Sequence, residues 1–152
     1  MLTTSLMLAA LVTLTACSSL TNEEKSYKAA VEFQEQGKLL EAIDEYGKVL
    51  ELDPVFVDAY TNRGAVYTDL GKYQKAIQDY DQAIQLNPAN EKAYSNRGNL
   101  HAGLGEPDLA LGDYSQAIRI APQNPEYYHR RANVYARIGQ KDLALQDYAE
   151  AI

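Results

Sequence analysis

Set against itself at an offset of 34 residues, the chain aligns residues 57–90 (VDAYTNRGAVYTDLGKYQKAIQDYDQAIQLNPAN) with residues 91–124 (EKAYSNRGNLHAGLGEPDLALGDYSQAIRIAPQN) without a gap. The same frame extends upstream over 23–56 and downstream over 125–152. A fixed period of this length constrains the fold strongly. Each unit is one supersecondary element that cannot bury its apolar face alone, so neighbouring units must stack to make a continuous core.

Within each unit two apolar-periodic segments flank a glycine: Gly37, Gly71, Gly105 and Gly139. That position suits a left-handed cap at the end of a first helix. Ala30, Gly64, Gly98 and Ala132 recur in the first segments, and Ala42, Ala76, Ala110 and Ala144 in the second. Residues this small let two helices approach closely. Tyr46, Tyr80, Tyr114 and Tyr148 follow four positions after those second-segment alanines; with Phe33, Tyr67, His101 and Tyr135 they predict an aromatic core. Pro54, Pro88 and Pro122 end the second segments, and Pro107 stands where a first helical turn accepts proline. The predicted helices are 23–36, 39–52, 57–70, 73–86, 91–104, 107–120, 125–138 and 141–152, with no strand pattern.

The 34-residue period and its small-Gly-Tyr-Ala-Pro punctuation resemble the tetratricopeptide repeat. The resemblance implies an all-α, right-handed solenoid of antiparallel helix pairs, in four units of which the last is truncated: 23–56, 57–90, 91–124 and 125–152. It also implies a concave groove lined by positions two, five, six, nine, twelve and thirteen of each unit. Those positions carry Asp58, Asn62 and Asp69 in the second unit, Lys92, Asn96 and Asn99 in the third, and Glu126, His129, Arg130, Asn133 and Arg137 in the fourth. An amide both donates and accepts, so Asn62 and Asn96 suit an extended peptide backbone. The family's carboxylate clamp is not reproduced: Asn96 and Arg130 match it in one frame, but Thr61, Ala65 and Glu126 occupy the other places. The last helix carries Tyr148 and Ile152 on a face that a further unit or a second copy would cover, an expectation of continuation or self-association.

Arg63, Arg97 and Arg131 stand where the repeat family usually has an apolar residue, and in the same units Asp79, Asp113 and Asp147 precede the second-helix tyrosine. The first unit has Ala29 and Glu45 at these places, so Arg and Asp appear or vanish together. The pattern predicts structural Arg–carboxylate pairs between packed helices, a geometry suited to two parallel hydrogen bonds.

Fourteen basic and 21 acidic residues give a net charge of −7, which repels phosphate backbones and speaks against nucleic acid. By unit the charge runs −5, −1, −1 and 0. This polarity predicts an acidic or carboxylate-ended peptide near Lys92, Arg130 and Arg137, with a basic stretch toward the first unit. One cysteine and two histidines give no metal-site spacing, no cofactor motif is present, and no nucleophile–base ordering or phosphate-cradling loop points to an enzyme. His101 falls at a core register, and His129 alone builds neither a triad nor a metal site.

Residues 1–16, MLTTSLMLAALVTLTA, carry no ionised side chain, and every charged residue lies beyond Cys17. The run is shorter than the roughly 20 residues that cross a hydrocarbon core and fits the apolar region of an export signal. Leu14-Thr15-Ala16-Cys17 resembles the bacterial lipobox, although no Lys or Arg precedes the apolar run. That resemblance implies a signal peptide over 1–16, lipidation of Cys17, a linker over 17–22 and the repeat domain over 23–152. Acyl chains contribute about 0.8 kcal/mol per buried methylene, and more than one is needed for stable anchoring. Ser18 and Ser19 after the cysteine imply the outer membrane, facing the periplasm, in a cell that has one. The expected function is an exported, lipid-anchored adaptor that binds a partner protein's peptide in its groove. The alternative is a recruitment module whose working domain lies beyond residue 152.

Overall fold

A computed structural model describes residues 20–152; the segment 1–16, the cleavage point and Cys17 lie outside the described residues. Among the described residues there are eight helices and no strand: α1 (Asn22–Glu35), α2 (Leu39–Leu52), α3 (Val57–Asp69), α4 (Tyr73–Leu86), α5 (Glu91–Leu104), α6 (Pro107–Ile120), α7 (Pro125–Arg137) and α8 (Lys141–Glu150). Every boundary falls within two residues of the one predicted.

Local chemistry explains the boundaries. At the start of α1, the Thr21 hydroxyl accepts from the Glu24 N–H at 3.3 Å, and the Glu24 carboxylate accepts from the Thr21 N–H at 2.8 Å, satisfying two otherwise orphaned donors. Gly37, Gly71, Gly105 and Gly139 all have positive φ, between 70° and 81°. In each case the N–H of the next residue reaches the carbonyl five residues back: Lys38 to Phe33, Lys72 to Tyr67, Glu106 to His101 and Gln140 to Tyr135, at 2.8–2.9 Å. Glycine takes this left-handed conformation without the Cβ penalty, so one turn is built four times. After α2 and α4, Asp53 and Asn87 swing to extended backbone because the prolines that follow exclude the helical region.

Helices pair within each unit, α1 with α2 through α7 with α8, and each second helix then packs on the next unit's first. First helices of successive units also touch, α3 with α5 and α5 with α7, whereas no two second helices pack comparably. The first helices therefore form the inner, concave wall of a solenoid.

Tyr46, Tyr80 and Tyr114 are buried between the two helices of their units, and Tyr148 is half-buried. A Cβ on Gly64 would lie 2.7 Å from Cε1 of Tyr80, and one on Gly98 3.1 Å from Cε1 of Tyr114, so the missing side chains make room for the rings. The buried phenols keep hydrogen-bond partners: Tyr46 donates to Gln34 at 2.8 Å, Tyr80 lies 3.2 Å from the Thr68 hydroxyl, Tyr114 donates to Asn99 at 2.6 Å and Tyr148 to Asn133 at 2.7 Å. As expected, Phe33 and Tyr67 pack against the clusters of Tyr46 and Tyr80, and His101 is buried; Tyr67 and Tyr135 also lie beside guanidinium groups.

Candidate partner-binding groove

The arginines on the first helices face the aspartates of the second. Arg63 donates through Nε and Nη2 to the two carboxylate oxygens of Asp79, both at 2.8 Å. Arg97 engages Asp113 in the same way at 2.9 and 2.7 Å, and Arg131 engages Asp147 at 2.7 and 2.8 Å. All three aspartates are buried. The remaining nitrogen reaches back one unit, from Arg97 to Asp81 and from Arg131 to the Ser115 hydroxyl; Gly47 holds that place opposite Arg63. Hydrogen bonds from Arg97 to Asp113 hold its guanidinium charge more firmly than in water, and Asp147 does so for Arg131; burial opposes the charge of Arg63, but Asp79 outweighs it.

Aromatic rings flank these cations. Tyr60 and Tyr67 lie 5.7 and 5.8 Å from the Arg63 guanidinium, and Tyr128 and Tyr135 lie 6.0 and 5.8 Å from that of Arg131. Arg97 has Tyr94 at 5.8 Å, but His101 replaces the second tyrosine, and its Nδ1 lies 2.6 Å from the Glu106 carboxylate. Sequence reasoning missed Tyr60, Tyr94 and Tyr128 as partners of the arginines. Their recurrence at the 34-residue period, one helical turn before each arginine, is the signal that could have found them.

On the concave wall, Asn99, Arg130, Asn133 and Arg137 line one recess together with Gly103 and Tyr114. The Oδ1 of Asn99 accepts from both Tyr114 and Arg130, and Asn133 accepts from Tyr148, so the core tyrosines aim both amides. Arg130 also pairs with Glu126, and Arg137 donates to the Ala102 carbonyl at 3.1 Å. Asn96 lies in the adjoining recess with Thr68, Asp69, Tyr80 and the shared Asn99. Three sequence candidates fall elsewhere. Asn62 donates to the Tyr27 hydroxyl at 2.9 Å, and His129 is exposed with its ring 5.5 Å from that of Tyr148. Lys92 shares a separate recess with Asp58 and Glu91 near the helix N-termini, whereas Arg137 is at the opposite end of its helix. Lys92 and Arg137 therefore line different recesses, at opposite ends of their helices.

Tetratricopeptide repeat models match residues 57–90, 91–124 and 113–146, and a TPR repeat model matches residues 32–71. The chain belongs to the tetratricopeptide repeat family. Among solved structures, MamA is 28% identical with a TM-score of 0.81, the match covering 86% of this chain and 76% of that one. The first TPR of Spaghetti (RPAP3), bound to the HSP90 peptide SRMEEVD, is 30% identical with a TM-score of 0.74 over 77% of this chain and 93% of that one. MamA from Desulfovibrio magneticus RS-1, at 20% identity and a TM-score of 0.77 over 85% and 73% of the two chains, shares the fold. No curated protein sequence gives a significant match. In a tetratricopeptide repeat frame the paired recesses fall between the first helices of units two and three and of units three and four.

Proposed function

We propose that this tetratricopeptide repeat protein is an exported, lipid-anchored adaptor that holds a partner protein's peptide segment in its concave groove, without catalysing a reaction. One observation carries the reading: the recess where Asn99, Arg130, Asn133 and Arg137 converge on the inner wall. Polar groups fixed by the buried Tyr114 and the half-buried Tyr148 are pre-organised, so less side-chain freedom is lost when a peptide binds. The peptide-bound RPAP3 structure supports the class of partner. The apolar run ending at Leu14-Thr15-Ala16-Cys17 supports export and anchoring through Cys17, beside the lipid surface of a cell envelope.

Crosslinking and affinity capture from native membranes test the proposal, comparing the intact protein with an Asn96→Ala, Arg130→Ala, Arg137→Ala variant after equal helicity is established. Capture of a partner by the intact protein and its loss in the variant is the expected result; unchanged capture would move the binding surface off the groove. Labelling with an alkyne fatty acid that disappears in Cys17→Ser is expected, and unchanged labelling removes the anchor.

A further inference from the structure

The two recesses on the concave wall carry opposite charge. At the thirteenth position of successive units stand Glu35, Asp69, Gly103 and Arg137, so one register of the inner wall passes from acid through no side chain to base. Asp69 lines the recess between units two and three, and Arg130 and Arg137 line the one between units three and four. Asp69 and Arg137 are exposed, and neither enters a salt bridge among the described residues. Asn99 lines both recesses. A Cβ on Gly103 would meet nothing within 4 Å, so the wall is open between the two charges.

Resting on the groove reading above, we propose that the groove selects a dipolar peptide, with a Lys or Arg side chain at Asp69 and an Asp or Glu side chain at Arg137, beside an Arg130 that Glu126 already pairs. Packed helices lie about 8–10 Å apart, and a peptide in the polyproline II conformation advances about 3.1 Å per residue with three residues per turn, so that side chains three apart share one face. Neighbouring recesses are thus about three residues apart along a bound peptide. The motif is a cation and a carboxylate at positions i and i+3, in one fixed order. A uniformly acidic peptide meets Asp69 and is disfavoured, and a uniformly basic one meets Arg137, so opposed charges supply the specificity.

Panning a random dodecapeptide display library against the full chain in detergent micelles, beside an Asp69→Arg, Arg137→Asp variant of equal helicity, tests this. Expected is enrichment of a cation and a carboxylate three residues apart for the natural chain, and of the reverse order for the variant. In fluorescence anisotropy each chain should prefer its own order by about tenfold, and the preference should shrink in high salt. A third chain, Gly103→Trp, fills the open centre of the wall. Peptides that lose binding to it but show no charge spacing overturn the dipolar motif and leave the groove reading standing. Peptides that bind it undiminished, or no enrichment at all, overturn the groove reading and the motif with it.

Discussion

At the register where units two to four place Arg63, Arg97 and Arg131 against Asp79, Asp113 and Asp147, the first unit has Ala29 and Glu45, and Glu45 pairs instead with Lys48 on its own helix. The first unit also builds the larger apolar cluster: Ala30, Ala42, Tyr46 and Val49 with Ala59 and Val66 of the second unit, surrounded by Tyr27, Phe33, Ile43 and Phe56 among others. The corresponding cluster at the second unit has three buried residues, Ala76 and Tyr80 with Leu100 of the third unit. One helix pair is therefore closed in two ways, by apolar volume in the first unit and by ion pairs under aromatic rings in the rest. The difference teaches where each unit is vulnerable. Apolar packing degrades by increments, whereas removing half of a buried pair strands a charge.

The sharpest test of that contrast is Arg97→Ala, which leaves Asp113 buried without its partner. It should destabilise the fold by about 3–5 kcal/mol in urea unfolding. Ala29→Gly in the first unit should cost only about 1 kcal/mol through helix propensity. Equal losses would dissolve the contrast.

Alkaline pH probes what the two kinds of unit share. Burial pushes the phenols of Tyr46 and Tyr80 up to about 12 from the ordinary value of about 10. A raised value on an acid means the folded state holds the proton more tightly. The stabilisation is complete below about pH 10 and is lost as pH rises through about 12, by about 2–3 kcal/mol per tyrosine. Unfolding midpoints measured across this window should fall, and Tyr80→Phe should flatten part of the fall.

A smaller effect belongs to Gly64→Ala, whose Cβ would press the Tyr80 ring, while the first unit already carries Ala30 at the equivalent place. Overpacking predicts a loss of about 1–2 kcal/mol net of the helix-propensity gain, and less for Gly98→Ala. The smallest is Asn99→Ala, which removes the acceptor for Tyr114 and should cost about 1 kcal/mol. Ala102→Thr added to it should recover much of the loss, because Thr68 serves Tyr80 from the same position one unit earlier. Thermal melts of the single and double variants decide the point.

The helices were legible because the repeat states each boundary several times: a glycine at one place, a proline at another, and the same apolar spacing between. The co-occurrence of Arg and Asp was equally visible at 34-residue intervals, and the structure sets the two side chains face to face. The environment of that pair was harder to read. Tyr67 packs against the core as its apolar register implied, but that register does not show that Tyr67 and Tyr135 also flank a guanidinium. The groove was legible as a set of positions but not as a shape. Lys92 and Arg137 both belong to inner-wall registers, yet they stand near opposite ends of their helices, and distance along a helix axis is lost when residues are sorted by face. The double duty of Asn99 was hidden too, since it depends on which of two registers supplies a tyrosine's acceptor in each unit.

Among the described residues, the inner helices of units two to four meet their neighbours while the outer ones stand apart, and units pack chiefly on the next unit along. An object joined in this way behaves as a leaf spring. A slight rotation at each joint leaves every core intact, yet the rotations add along the axis, so tension between the two ends opens the arc and compression tightens it. The grip on anything lying across the inner wall then varies with mechanical load, through curvature alone.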